Sequence, residues 1–276
     1  MQIAVMVNDD LFSCMALNHL APFLAGHAVW LGCTSRVGSP ATAAPTEANP
    51  WLDQWRFLEQ GLPMRTYFPK LQALPPTGTE TWLTLLQLAQ RHQWPLTVVE
   101  SLNTPGLLAS VQAFAPDVVL SIRFGKIFKG PWLGVARHGI LNLHSGLLPD
   151  FRGVLATFWT LLQRRTEYGC TLHWIEDGQI DTGGVVQTIR LPVQPGRPLF
   201  DHIASLYAPG VAAMGQAVQQ LAQGQRPVSH PQQGEPQYFS HPKAADFERF
   251  LAQGGTLVDW TTYGDVLRRF GPALPG

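Results

Sequence analysis

Along the first two-thirds of the chain, short apolar runs alternate with stretches whose apolar residues recur at helical spacing. Ile3 to Val7 reads as a strand, and from Phe12 to Leu24 the apolar positions return every three or four residues, which predicts a helix. His27 to Cys33 predicts a second strand. Residues 38 to 50, rich in Ser, Pro, Ala and Thr, read as a loop, and the breaker Leu74-Pro75-Pro76-Thr77-Gly78 precedes a helix expected over Glu80 to His92. A strand at Leu96 to Val99, a helix capped by Thr104 and running through Ala113, and a strand at Val118 to Ile122 follow. Gly139 to His144 is a further buried strand, and Val154 to Leu162 an apolar helix leading away from it. Gly169 to Ile175 and Val185 to Val193 form an antiparallel pair, and Pro198 to Gln223 one long amphipathic helix. Strand, helix and strand in this order predict right-handed crossovers. The expected fold is α/β, a Rossmann-like, mostly parallel sheet with helices on both faces.

Beyond Gly224 the texture changes. Pro, Gln and His dominate to about Gln237, and Tyr238, Phe239, Phe247, Phe250 and Trp260 then supply scattered aromatics. Residues 1–224 are read as one domain and 225–276 as an appendage packed on it, too short and irregular for a second catalytic domain. No repeat is apparent.

Composition narrows the function more than the fold. The chain has 276 residues, 45% of them hydrophobic, enough for a full core. Nineteen Lys and Arg balance nineteen Asp and Glu, with a pI near 7.1, and no basic cluster exceeds a pair such as Arg164-Arg165. Nucleic-acid binding needs a basic footprint, so a nucleic-acid partner is disfavoured. Cys14, Cys33 and Cys170 have neither disulfide nor zinc spacing and read as reduced thiols of a cytoplasmic protein. The chain's first residues lack a signal-peptide core, and no apolar run reaches the length of a membrane span.

Binding sites in such sheets gather at the carboxyl ends of the strands. Two strand ends here carry Arg123-Phe124-Gly125 and His144-Ser145-Gly146. Residues two apart on a strand share a face, so Asn142 and His144 point the same way. Two polar groups on one face of an apolar strand cost desolvation unless they have partners or a role. With Asp181 returned by a later loop, they can assemble a proton-transfer and oxyanion-stabilising centre. Singly, each has a plainer reading, a satisfied strand histidine or a turn aspartate. His173-Trp174 reads as packing, and Arg152 as an electrostatic anchor for its loop. No Gly-x-Gly-x-x-Gly follows the first strand, which disfavours a dinucleotide site.

Three ordered motifs carry a resemblance. They are Asn142-Leu143-His144-Ser145-Gly146-Leu147-Leu148-Pro149, then Asp177-Gly178-Gln179-Ile180-Asp181-Thr182-Gly183, and upstream Ser121-Ile122-Arg123-Phe124-Gly125-Lys126-Ile127. Together they resemble the folate-dependent formyltransferases, which act on glycinamide ribonucleotide, methionyl-tRNA or sugar nucleotides and include a formyl-tetrahydrofolate hydrolase. The match is carried by about residues 110 to 195. Ser145-Gly146 stands where the family usually has Pro-Ser. The resemblance implies that residues 1–224 are a formyltransferase catalytic domain with Asn142, His144 and Asp181 as its reactive groups. It further implies a pterin cleft lined by Ile122, Arg123, Phe124, Gly125 and Ile127 and by Asp177, Gly178 and Ile180. Gly125 would let a flat ring approach closely, while Asp177 would also shape its loop.

The expected reaction is transfer of the formyl group of 10-formyltetrahydrofolate, the co-substrate, to an amine or hydroxylamine nitrogen of a small molecule. No metal is required. The acceptor would enter beside Asn8, Asp9 and Asp10 and the segment 38 to 78; two carboxylates there repel a phosphate but can hold an amine or hydroxyls. A methionyl-tRNA formyltransferase, a formyltetrahydrofolate hydrolase and a non-catalytic folate-binding protein are the competing readings. Neutral charge and the lack of an oligonucleotide-binding barrel in the tail weigh against the first. The aromatic-bearing tail also offers an apolar surface for a homodimer.

Overall fold

The computed structural model describes residues 1–34, 48–72 and 81–271. The expected loop 38–50 lies outside it as far as residue 47, and the breaker at 74–78 and the expected helix start at Glu80 also fall outside. Nine strands occur among the described residues: β1 (Gln2–Asn8), β2 (Ala28–Thr34), β3 (Leu96–Val98), β4 (Val118–Ile122), β5 (Ile140–His144), β6 (Arg152–Gly153), β7 (Glu167–Ile175), β8 (Val185–Pro192) and β9 (Tyr238–Phe239). The α-helices are α1 (Leu11–Leu20), α2 (Pro50–Arg56), α3 (Phe68–Gln72), α4 (Leu85–His92), α5 (Leu107–Phe114), α6 (Ala156–Leu162), α7 (Leu199–Ala204), α8 (Tyr207–Ala222), α9 (Ala244–Ala252) and α10 (Trp260–Arg268).

Seven strands form one sheet in the order β3-β2-β1-β4-β5-β7-β8, parallel from β3 to β5 and antiparallel across β5–β7 and β7–β8. The sheet is buried on both faces, as a mostly parallel sheet requires. Alternation along β1 shows this: Ile3, Val5 and Val7 enter one apolar cluster, Ala4 and Met6 the other. Burying such side chains stabilises the fold by roughly 1.5–3 kcal/mol each relative to exposure. The same alternation positions the chemistry. Leu141 and Leu143 of β5, and Tyr168, Cys170, Leu172 and Trp174 of β7, fill the first cluster. Asn142, His144, Thr171 and His173 are therefore left on the opposite face.

Four expectations shift. One helix was expected over Pro198 to Gln223, but it breaks between α7 and α8. Pro209 has no N–H for the Ser205 carbonyl, so the ladder cannot run through. Thr104 is no side-chain cap: α5 begins after left-handed Gly106, and Thr104 only accepts Leu107 N–H through its backbone, at 3.2 Å. The first helix stops at Leu20, and a 3-10 turn, Ala21–Leu24, completes it. Residues 50–72, for which no helix was predicted, are helical throughout, with two π turns, Phe57–Gly61 and Pro63–Tyr67, joining α2 to α3. Pro63 cannot donate to the Glu59 carbonyl, which fits a widened turn there.

The C-terminal segment shares the main core. Phe247 and Phe250 pack on Phe158, with ring centroids 4.7 and 5.3 Å away, and Tyr263 packs edge-on to Phe200 at 5.0 Å. No helix among the described residues is long and apolar enough to cross a membrane.

Candidate active site

The site is built at the carboxyl end of β5, where antiparallel β7 lies alongside. Register pairs Asn142 with His173 and His144 with Thr171, so the Asn142 and His173 side chains meet. Asn142 Nδ2 lies 3.0 Å from His173 Nε2. His173 Nδ1 faces the Trp174 carbonyl at 3.0 Å. A carbonyl only accepts, so Nδ1 carries the proton, and in the neutral ring Nε2 accepts from Asn142. An amide nitrogen has two hydrogens, so one Asn142 N–H is left over, on a side chain that is only half-buried.

His144 is held by the same logic. Its Nε2 donates to the Phe151 carbonyl at 2.7 Å, which turns Nδ1 toward Asp181 Oδ2, 3.4 Å away. Gly146 makes this bond sterically feasible. A Cβ there would stand 2.7 Å from both His144 Nε2 and the Phe151 oxygen and 2.5 Å from Ala156 Cβ. The departure at Ser145-Gly146 thus has a local geometric consequence: the chain folds more tightly onto the imidazole than a side chain would permit.

Asp181 has left-handed backbone (φ 55°), uncommon for a residue with a Cβ. Its Oδ2 accepts from Gly153 N at 2.9 Å, and Oδ1 lies 3.5 Å from His173 Nε2. Burial pushes its pKa up, but the His144 charge, the two contacts with His173 and the Gly153 N–H outweigh that and bring the carboxyl to about 2. It is a carboxylate at neutral pH. So low a pKa suits orienting and charge-stabilising work better than proton uptake.

Three residues beyond those motifs belong to the same constellation. His173 faces the site, where the sequence suggested packing. The usable signal was alternation, since Trp174 and His173 cannot share a face of one strand. Arg152 and Gln232 complete the frame. Gln232 Nε2 donates to the Asp181 and Gly183 carbonyls at 2.7 and 3.0 Å, and its Oε1 accepts from Arg152 at 2.7 and 3.3 Å. Nothing in the Pro-, Gln- and His-rich stretch around Gln232 marks it out.

Of the two loops expected to hold a pterin, the later one rests on the Lys129 stem, which lies 3.1 Å from where a Cβ of Gly178 would stand, two residues beyond Ile127 of the earlier one. Ile122 is fully buried and can offer only backbone; Phe124, Gly125, Gly178 and Ile180 are half-buried and Ile127 is exposed. Asp177 serves its own loop, accepting from Gln179 N at 2.8 Å and the Thr182 hydroxyl at 2.7 Å, and these bonds lower its pKa.

Arg123 is engaged elsewhere. Its guanidinium pairs with Asp10 and Glu59, at 2.9 Å each, and lies over the Phe12 ring, 5.1 Å from the centroid. Burial works against its charge, but Asp10, Tyr207 and Glu59 more than compensate and keep it protonated. Its side chain is thus withdrawn from the cleft, and φ 56° marks where the backbone turns away from β4.

The acceptor-side expectation narrows in the same way. Asp10 is fully buried and caps α1, accepting from Ser13 N (2.7 Å), Asn8 Nδ2 (2.8 Å) and Arg123 (2.9 Å). Asp10 is spent on the helix start and Arg123, and Asn8 is buried with its Nδ2 on Asp10, while its Oδ1 has no hydrogen-bond partner among the described residues. Asp9 is half-buried, and its carboxylate has no hydrogen-bonding partner among the described residues. Burial, then the Asp10 charge, raises its pKa. Gln60, in the π-turned helix, donates to the Asp9 carbonyl at 2.9 Å.

The formyl transferase family model matches residues 87–217, which contain β4, β5, β7 and every candidate residue except the Asn8–Asp10 loop and Gln232. A methionyl-tRNA formyltransferase of Nitrosomonas europaea is 32% identical over 192 residues, 67% of this chain and 55% of that protein. One from Geobacter sulfurreducens is 32% identical over 124 residues, 44% of this chain and 39% of that protein. The chain spans about half the length of the curated relatives it matches. Among solved structures, glycinamide ribonucleotide transformylase 1 from Symbiobacterium toebii superposes with a TM-score of 0.56 at 18% identity, covering 81% of this chain and 88% of that one. An N-formyltransferase from Helicobacter canadensis, in complex with folinic acid and dTDP-3-aminofucose, gives 0.57 at 16% identity, covering 87% of this chain and 71% of that one. These structures share the fold, and with the sequence matches they set the identity: this chain belongs to the folate-dependent formyltransferase family.

Proposed function

We propose that this protein transfers the formyl group of 10-formyltetrahydrofolate to a nitrogen nucleophile at the Asn142–His144–Asp181 centre. The observation that carries this reading is the leftover Asn142 N–H beside an imidazole fixed at both ring nitrogens. Formyl-folate supplies an electrophilic carbonyl carbon; attack by nitrogen places negative charge on its oxygen and sets one proton free. Asn142 donates to that oxygen from an amide already oriented by His173, so no reorganisation is needed at the moment of reaction. His144 acts as the base. Because its Nε2 proton is committed to Phe151, its changing protonation is confined to Nδ1, where Asp181 stabilises the imidazolium. With the Asp181 pKa so low, His144 takes up the proton and returns it to the folate nitrogen as the tetrahedral adduct collapses and its carbon–nitrogen bond breaks to release tetrahydrofolate.

The residues present suit a folate. Two loops, Phe124–Ile127 and Asp177–Ile180, offer half-buried residues and one exposed aliphatic side chain to a flat ring. Solved complexes of proteins with this fold, bound to 5-N-formyl-THF and to folinic acid, support the same ligand class.

For the acceptor we favour a small molecule bearing an amine, held by the Asp9 carboxylate. A chain of balanced charge gives little purchase on phosphates. The second reading, methionyl-tRNA as acceptor, is favoured by the names of the curated relatives. One experiment addresses both. Titrate 5-formyltetrahydrofolate calorimetrically, then follow tetrahydrofolate release from 10-formyltetrahydrofolate with hydroxylamine, amino-sugar nucleotides or methionyl-tRNA. Micromolar binding and amine-dependent release are expected. Release without any acceptor would mean hydrolysis, a salt-sensitive response to methionyl-tRNA would establish the second reading, and no binding at millimolar ligand would end the folate assignment.

A further inference from the structure

Asp181 stands on left-handed backbone and must be held there by something outside its own loop. Two segments of chain converge to do so. Gly153 of β6 donates its N–H to Asp181 Oδ2 at 2.9 Å. Arg152, the preceding residue, directs its guanidinium to Gln232 Oε1. Gln232 in turn places both hydrogens of its amide on the Asp181 and Gly183 carbonyls. Every donor and acceptor of that amide is used, on partners 49, 51 and 80 residues away in sequence.

The segment bearing Gln232 is itself fastened on both sides. His230 exchanges two backbone bonds with Val185, at 2.8 and 2.9 Å. Gln237 donates to Pro149 at 3.1 Å and accepts from Arg152 at 2.9 Å, and Val154 donates to Phe239 at 3.0 Å. Phe239 stacks on Phe151, whose carbonyl holds His144, with centroids 5.6 Å apart. The segment therefore touches the supports of both His144 and Asp181, although it lies beyond the matched residues 87–217.

We propose that Gln232 is a positioning residue of the reaction centre: its amide fixes the Asp181 backbone so that the carboxylate faces both imidazoles, and residues 230–239 thereby complete the site. The proposal rests on the formyl-transfer reading for its kinetic consequence, but its structural consequence can be read separately. In Gln232→Glu the chain length and the Arg152 contact persist while both N–H donors are lost. In Gln232→Met the shape persists and all polar contacts go.

The test uses the full chain labelled with 15N-histidine. Imidazole titrations of His144 and His173 are recorded, together with 5-formyltetrahydrofolate affinity and 10-formyltetrahydrofolate turnover with hydroxylamine as the probe nucleophile. A misplacement near 1 Å costs roughly 100-fold in rate. Both variants should therefore lose about 10- to 100-fold in kcat while folate affinity stays within about 3-fold. The His144 titration and the acid limb of the rate profile should both move to lower pH, because the imidazolium loses the carboxylate that stabilises it. Gln232→Glu keeps the test decisive if Met lowers the melting temperature. Unchanged His144 and His173 titrations in a folded variant would overturn the proposal, as would unchanged kcat. Failure of wild-type protein to bind or turn over folate would defeat the functional reading instead, leaving the histidine titrations to decide the role of Gln232.

Discussion

Asp10, between β1 and α1, and Asp181, in the loop joining β7 to β8, are two largely buried carboxylates built for different ends. Asp10 is clamped at 2.7–2.9 Å by a backbone N–H, an amide and the permanent charge of Arg123. Asp181 has one such short bond, from Gly153, and two longer contacts of 3.4 and 3.5 Å with groups that titrate. A carboxylate paired to arginine has nothing left to exchange and becomes framework. One set between imidazoles keeps a proton-dependent partner, the condition for chemistry near neutral pH. The nature of the partner separates the two roles, since burial does not.

The largest effect should come from breaking the framework pair. Asp10→Ala removes the α1 cap and leaves the buried Arg123 with Glu59 alone, and should destabilise the protein by roughly 3–5 kcal/mol, read as a lower urea midpoint. A loss below 1 kcal/mol would show that Asp10 is dispensable and erase the contrast. Next, Asn142→Ala should leave stability nearly untouched while lowering kcat by on the order of 100- to 1,000-fold; a full rate would remove the oxyanion role.

The third test concerns pH. Asp181 titrates at about 2 in the folded chain, against about 3.9 for an unfolded aspartate. Its folded pKa is depressed, so its contribution, on the order of 2 kcal/mol, is present above about pH 4 and fades as pH falls toward 2. Denaturation of wild type and Asp181→Asn between pH 2 and 6 should show curves converging at the acid end. A constant offset would contradict the ionic account. The smallest effect expected is at Gly146. Gly146→Ser brings the segment nearer the family's usual pattern, yet should lower kcat roughly tenfold, about 1.4 kcal/mol of barrier, by pushing Phe151 off His144. An increase in rate would show that the tight turn is a defect.

Legibility in the sequence followed the range of the interactions. Strands such as Val118–Ile122 were readable because their burial is a local pattern of apolar residues, and Asn142 and His144 because a strand's alternation is local as well. Asp9 and Asp10 looked alike as a pair of acidic residues; which one is spent on α1 and Arg123 depends on a salt bridge 113 residues long. The helical run at 50–72 was hidden by Pro63 and by π turns that disturb the 3.6-residue period. His173 required the β5–β7 register, and Gln232 required the tertiary path of a segment with no periodicity at all. What local pattern determines was visible, and what long loops bring together was not.

The short pairing of β6 with β9 has a consequence for how the molecule comes to life. Gly153 has φ 98°, and a Cβ there would strike the Phe239 carbonyl, so the two strands close only as a backbone-to-backbone seam. Tyr238 and Phe239 follow every strand of the large sheet in sequence, so the seam is the last strand pairing a growing chain can make. During synthesis, the sheet and its imidazoles can be in place while the seam is still open and Asp181 is unsupported. Competence for catalysis then arrives as one of the last events of maturation, and a chain that stalls before it stays silent.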